Sequence, residues 1–108
     1  MRDVREELFF GRNIAGGAIV SEEEWRQFLD SEITPRFADG FSVADVSGQW
    51  RNAAGMIERE SSKDVIIVLP AGNGTESRTQ LGAIRDAYKR RFNQESVLLI
   101  ETPVCAAF

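Results

Sequence analysis

Two short apolar runs limit most strongly what this chain can fold into. Residues 65 to 69 read Val-Ile-Ile-Val-Leu, and residues 97 to 100 read Val-Leu-Leu-Ile. A strand with one face in water alternates apolar and polar residues, so runs without alternation predict strands that are covered on both faces. Both runs fall far short of the roughly 20 apolar residues that a membrane-spanning helix needs. The sequence therefore predicts a buried sheet and no membrane span.

The elements follow the order strand, helix, strand, strand, helix, strand. The first helix is marked by Ser21 and Glu24, which have the spacing of a capping box, and it should end near Pro35. A slip in alternation at 45–48 suggests a bulge in the second strand. We expect strands at 4–12, 41–50, 56–69 and 96–102, and helices at 21–34 and 76–93.

This order predicts an α+β fold, the ferredoxin-like βαββαβ sandwich, in which two helices cover one face of an antiparallel sheet. The 108 residues are enough for one such domain, spanning residues 1–108. Because two helices cover one face only, we expect the other face to pack against a second copy, giving a homodimer through the sheet face. Alternatively, the C-terminal tail or the loop at 36–40 folds over that face.

Composition excludes several chemistries. The chain has no histidine, which removes Ser-His-Asp and Cys-His catalysis and His-ligated metals. Cys105 is the single cysteine and cannot form an intrachain disulfide. The net charge of -4 provides no basic field for nucleic acid, and the basic residues at 85–91 are explained by the end of a helix. We therefore expect no metal, no cofactor and no nucleic-acid partner.

A few polar and aromatic residues are candidates for a site. Trp50 at a strand end could line a pocket or a subunit contact, although packing in the core or the hairpin is the simpler interpretation. Glu58 and Glu60 share one face of the third strand, where a carboxylate could act as a base, although a solvated strand end is the simpler interpretation. Arg36 could clamp an anionic ligand or cap the sheet edge, and Tyr88 could donate a proton or be a buried ring with a satisfied hydroxyl.

The segment from Pro70 to Thr75 joins a buried strand to a helix, a position where backbone amides can hold a phosphate. It lacks the Lys-Ser/Thr ending of a P-loop and the third glycine of a dinucleotide fingerprint. A tight turn followed by a helix cap explains the segment.

Several sequence pieces in order resemble a bacterial family, domain-of-unknown-function family 3574. The pieces are Phe10-Gly11, Val20-Ser21 with Trp25 and Phe28, residues 34–37 followed by Asp39-Gly40, Gly48-Gln49-Trp50, Glu60, residues 88–92 and residues 94–98. The resemblance spans roughly residues 8 to 108 and implies a small α+β domain of bacterial or phage origin without an assigned activity. It supplies no catalytic residues. It adds Gln49 to Arg36, Trp50, Glu60 and Tyr88 as candidate ligand-binding residues.

Three functions are consistent with these observations. The first is a dimeric module that binds a small molecule or a protein in a cleft between sheet and loops. The second is a metal-free enzyme of the dimeric α+β barrel type that acts on a small organic molecule. The third is an acidic inhibitor or phage accessory protein whose carboxylates, such as Glu6, Glu7, Glu22 and Glu23, contact a basic partner. Without an export signal the chain would be cytoplasmic, and with a signal segment removed it would be periplasmic or lipid-anchored.

Overall fold

The fold was analysed on a computed structural model that describes residues 3–70 and 74–108. Its elements are β1 (Asp3–Gly11), α1 (Glu22–Phe28), a π-helical turn (Leu29–Ile33), β2 (Ser42–Arg51), β3 (Ile57–Pro70), α2 (Gly74–Arg91) and β4 (Leu98–Val104). Residues 71–73, in the turn predicted after Pro70, lie outside the described residues.

The four strands form one sheet in the order β2-β3-β1-β4, and each neighbouring pair is antiparallel. Together with one helix after β1 and one after β3, this arrangement is the ferredoxin-like sandwich that the element order predicts. The chain is therefore an α+β domain with two helices on one face of an antiparallel sheet.

The first helix begins and ends where it was predicted to, but its last turn is π-helical. Ser21 Oγ accepts from the Glu24 amide at 3.0 Å, and the Glu24 carboxylate accepts from the Ser21 amide at 3.0 Å, which completes the capping box. The α-helix stops at Phe28, and the backbone widens into a π-helical turn over Leu29–Ile33 before Pro35. The apolar spacing alone gave no sign of this widening.

The core lies between the helices and the inner face of the sheet. Leu8 and Phe10 of β1 and Val65 and Ile67 of β3 are almost completely buried, as alternation along two neighbouring strands requires. Phe10 lies at the centre of an aromatic cluster, with ring centroids 5.1 Å from Trp25 and 4.8 Å from Tyr88. Other members of the cluster are Phe28 and Phe92.

The prediction of a bulge at 45–48 is wrong. β2 pairs with β3 without interruption from Ser42 opposite Ile66 to Arg51 opposite Ile57. Asp45, which breaks the apolar alternation, lies on the helix side, where the buried ammonium of Lys63 donates to its carboxylate at 2.6 Å. Because Glu22 of α1 also pairs with Lys63, at 2.8 Å, a polar residue at this inward position is satisfied without a bulge.

The opposite face of the sheet, here called the helix-free face, carries neither of the two helices. Side chains of Val68, Leu98 and Ile100 on this face are 39%, 57% and 41% exposed. The tail residues after Val104 are exposed, and the loop at 36–40 and Phe108 line a cavity whose lining also includes Ile66 and Val68 of this face. Within the described ranges, neither helix is long and apolar enough to cross a membrane.

Candidate functional site

A groove of about 960 Å³ crosses the end of the helix-free face where β1 finishes. We call it the acidic groove. Phe9 and Leu98 are part of its lining, the loop at 13–19 and the segment at 93–96 form one side, and β2 and β3 form the other. The strand residues on that side are Gly48, Gln49, Trp50, Glu58, Glu60 and Ser62.

Glu60 is placed in the groove by a glycine on the neighbouring strand. A Cβ atom at Gly11 would lie 2.7 to 2.9 Å from the Glu60 carboxylate, so the carboxylate occupies space that any other residue at position 11 would fill. Its Oε2 atom accepts from the Asn13 amide at 2.7 Å, whereas Oε1 has no hydrogen-bond partner among the described residues. One oxygen is therefore held and the other is free for a ligand.

Two hydrogen bonds from other parts of the chain hold the segment from Gly11 to Asn13. The buried Tyr88 hydroxyl donates to the Gly11 carbonyl at 2.6 Å, and the Gln94 side chain donates to the Asn13 carbonyl at 2.6 Å. Burial, followed by the nearby Glu60 charge, raises the pKa of Tyr88, so its hydroxyl stays protonated and remains a donor. These contacts from α2 and from the loop after it position the groove end of β1.

The groove is acidic and carries one large exposed ring. Its lining includes Glu58, Glu60 and Glu95 and, among the described residues, no lysine or arginine. Trp50 is 44% exposed. Three carboxylates along one groove favour a cation over an anion, while an exposed indole offers a stacking surface that also attracts cations. The described residues contain no group of three potential metal ligands.

The five sequence candidates are divided among three places. Gln49, Trp50 and Glu60 belong to the groove lining. Tyr88 lies in the core beneath it, with no exposed surface, and reaches the groove only through the Gly11 carbonyl. Arg36 lines a different cavity, of about 740 Å³, and donates to the Glu32 carboxylate at 2.9 Å.

Sequence reasoning missed Gly11, Asn13 and Gln94 as the residues that hold Glu60 and its surroundings. Only Gly11 carried a signal, because a glycine at the end of an apolar strand is typical of close approach by another group. The Asn13 and Gln94 contacts join segments 47 and 81 residues apart, which no local pattern reveals.

Two carboxyl groups elsewhere on the sheet are buried. Glu6 on the helix side is 2% exposed, and burial together with the adjacent Glu101 raises its pKa to about 7. Asp64 on the helix-free face is 7% exposed, and burial together with the adjacent Glu7 raises its pKa to about 6. Both Glu6 oxygens and Oδ1 of Asp64 lack a hydrogen-bond partner among the described residues. Both groups therefore favour the protonated form.

Fold and groove together define a small ferredoxin-like α+β domain with an acidic groove on its open sheet face. The family described as a protein of unknown function, DUF3574, matches residues 5–108, and the chain belongs to this family. This confirms the resemblance seen in the sequence. None of the curated proteins matches the chain.

Solved structures share the fold at low sequence identity. A phage SAM lyase in complex with S-methyl-5'-thioadenosine is 18% identical with a TM-score of 0.68, covering 96% of this chain and 90% of the lyase chain. The periplasmic divalent cation tolerance protein CutA from Archaeoglobus fulgidus is 12% identical with a TM-score of 0.59, covering 100% of this chain and 88% of the other. CutA from Synechococcus elongatus is 16% identical with a TM-score of 0.55, covering 93% and 75%. At these identities the likeness shows the fold alone.

Proposed function

We propose that this protein binds a small organic cation that carries a flat ring, and that it does so in the acidic groove. The observation that carries the proposal is the composition of the lining, which has three glutamates, an exposed Trp50 ring and no lysine or arginine among the described residues. A cation gains from the carboxylates, and a flat ring gains from stacking on the indole. The free Oε1 of Glu60 is the expected contact for the positive charge.

S-adenosylmethionine is the first ligand to test. It joins a sulfonium cation to an adenine ring, which is the combination that the groove favours. The phage lyase of similar fold is named for this compound and was solved with its thioether fragment. The likeness to the lyase adds a candidate compound, and the chemistry of the groove supplies the reason to expect binding here.

Titration calorimetry should compare S-adenosylmethionine with S-adenosylhomocysteine, which has the same ring and amino acid but no sulfonium charge. We expect S-adenosylmethionine to bind at least tenfold more tightly, because its sulfonium adds a positive charge that Glu60 and Glu58 attract, whereas the amino-acid group is the same in both compounds. Glu60→Gln keeps the shape of the side chain and should remove most of that preference. Glu23→Gln, an exposed glutamate on α1, is the matched control and should leave it unchanged.

Equal affinity for the two compounds, or a preference that Glu60→Gln leaves intact, would overturn the proposal. Trp50→Leu provides a second check, since removal of the ring should weaken both compounds by a similar factor.

A metal-free enzyme at the same groove is the second candidate function. It is favoured by the unpaired Oε1 of Glu60, which could accept a proton from a bound ligand. Incubation with S-adenosylmethionine followed by mass spectrometry would detect S-methyl-5'-thioadenosine if the protein acted as a lyase. Product formed by the wild type and lost in Glu60→Gln, at unchanged melting temperature, would support catalysis. Binding without turnover would leave a binding module.

The carboxylates of this protein give little support to the hypothesis of an acidic inhibitor. Glu6 is buried, Glu7 pairs with Arg5 at 2.7 Å, and Glu22 pairs with Lys63. Of the carboxylates that suggested a basic partner, Glu23 is the one that remains exposed without a recorded ion pair among the described residues.

The proposal includes self-association through the helix-free face. Val68 on β3 and Leu98 and Ile100 on β4 expose apolar surface on this face on either side of β1, and exposed apolar surface can mark a contact with a second copy. Ile100→Glu should reduce the apparent mass in light scattering if a second copy covers the face. A monomeric wild type at 100 µM would contradict this part of the proposal without affecting ligand binding.

A further inference from the structure

The outer edge of β2 is the longest open backbone edge in the fold, and its sequence is complementary to itself. We propose that β2 pairs antiparallel with β2 of a second copy, with Gly48 on the two-fold axis. This contact is separate from the helix-free face and does not depend on a ligand in the acidic groove.

The orientation of the free backbone groups follows from the hairpin that joins β2 to β3. The Asn52 amide donates to the Met56 carbonyl at 2.9 Å, and the pairing continues without a bulge to Ser42. Hydrogen-bonded pairs alternate along an antiparallel ladder, so even-numbered residues of β2 direct their amides and carbonyls toward β3. The odd-numbered residues, Val43, Asp45, Ser47, Gln49 and Arg51, direct theirs outward. Their backbone groups have no hydrogen-bond partner among the described residues.

This edge lacks the features by which proteins prevent strand addition. β2 contains no proline, no lysine and no bulge over its 10 residues, and nearly all its side chains are exposed. The other edge strand, β4, is shorter at 7 residues and carries Pro103, which cannot donate to a further strand. A new strand is therefore expected at β2.

Charge selects a second copy as the partner and fixes the register. Centring the pair on Gly48 places Asp45 opposite Arg51 of the second copy, twice by symmetry. Asp45 keeps most of its side chain exposed despite its contact with Lys63, and Arg51 has no ion pair among the described residues. Centring on Ser47 or Gln49 instead places Asp45 opposite an uncharged residue. Gly48 on the axis has no side chain to separate the strands.

The same register affects the helix-free face. Trp50 lies opposite Val46 of the second copy, and both residues belong to that face by their pairing with β3. The two sheets then form one sheet of eight strands with both acidic grooves on the same side. Trp50 and Gly48 line the groove, so the second copy's Val46 would extend the groove wall beside the indole.

Disulfide trapping tests the register directly. Cys105, which is exposed, is first changed to Ser so that it cannot react. Gly48→Cys should then form a covalent dimer rapidly under mild oxidation, because a non-hydrogen-bonded cross-strand pair has Cα atoms about 4.5 Å apart, within disulfide range. A Cβ at position 48 has no atom closer than 3.9 Å, so the variant should fold. Ala44→Cys is the matched control, since two copies of position 44 would lie about 27 Å apart.

Light scattering of Arg51→Glu supplies a second measurement, because this change places two acidic pairs in the interface. We expect dimerisation about tenfold weaker than in the wild type, with Ile100→Glu leaving the Gly48→Cys disulfide intact. Equal trapping at positions 44 and 48, trapping at neither, or an unchanged dimer in Arg51→Glu would each overturn the proposed pairing. A dimer lost in Ile100→Glu but kept in Arg51→Glu would assign the contact to the helix-free face alone.

Discussion

The buried carboxyl of Glu6 should make the stability of this fold fall as the pH rises. Burial between the sheet and α2, with Glu101 adjacent, raises its pKa from 4.5 to about 7. Arg78 partly opposes this shift through its positive charge. Because the folded state holds the proton more tightly than the unfolded chain does, the folded state is favoured most when the group is protonated.

The magnitude follows from the size of the shift. At about 1.4 kcal/mol per pKa unit, a rise from 4.5 to about 7 corresponds to a stabilisation difference of at most about 3 kcal/mol. The stabilisation that Glu6 contributes is complete below pH 4.5, decreases as the pH rises, and is absent above about pH 7 to 8. Glu6→Gln is neutral at every pH and similar in shape, so it should avoid this loss. We expect the variant to match the wild type near pH 4 and to exceed it by up to about 3 kcal/mol at pH 8.

Urea denaturation followed by circular dichroism at pH 4, 5, 6, 7 and 8 would measure this difference. Protein concentration must be held constant, since self-association would stabilise the folded state. Glu23→Gln, on the exposed side of α1, serves as the control and should change stability little at any pH. A stability difference between Glu6→Gln and the wild type that does not grow with pH would refute the reasoning.

Further predictions concern the groove and the first helix. Gly11→Ala should displace the Glu60 carboxylate and weaken ligand binding about tenfold by calorimetry, whereas Gly82→Ala, on α2 and outside the groove lining, with no atom within 4 Å of its Cβ, should bind within about twofold. Tyr88→Phe removes the hydrogen bond to the Gly11 carbonyl and should lower the free energy of unfolding by about 1 to 2 kcal/mol in urea titrations, and an unchanged midpoint would contradict this. Ser21→Ala removes the cap of α1 and should cost about 1 kcal/mol in the same assay, with Ser21→Asp close to the wild type.

Local patterns predicted the fold because each element is specified close to its own residues. The capping box at Ser21 and Glu24 uses contacts three residues apart, and the inward positions Leu8 and Phe10 follow the two-residue period of a strand. The prediction of a bulge near Asp45 was wrong because its partner, Lys63, is 18 residues away. The sequence pattern recorded the break in alternation but not the ammonium that compensates for it.

The candidate site was predicted only in part. Trp50 and Glu60 stand out as residues, and they line one groove because β2 and β3 pair in the observed register. Arg36 stood out equally and lies at another cavity, since a charged residue beside a proline carries no information about distance from the sheet end. Glu6 could have been identified as a buried residue by extending the alternation of Leu8 and Phe10 by one step. The charged residues around it in the sequence instead suggest an exposed strand end.

A chain without histidine still places titrating groups near neutral pH, and it does so with carboxyls. Glu6 and Asp64 have pKa values raised to about 7 and about 6, one on each face of the same sheet. A partner molecule could change the surroundings of only one of these two groups. Glu6 is covered by its own chain, whereas Asp64 lies on the helix-free face. A second molecule on that face would remove more water from Asp64 and favour its protonated form further. Proton uptake by Asp64 is therefore linked to covering of the face, so contacts made there should strengthen as the pH falls.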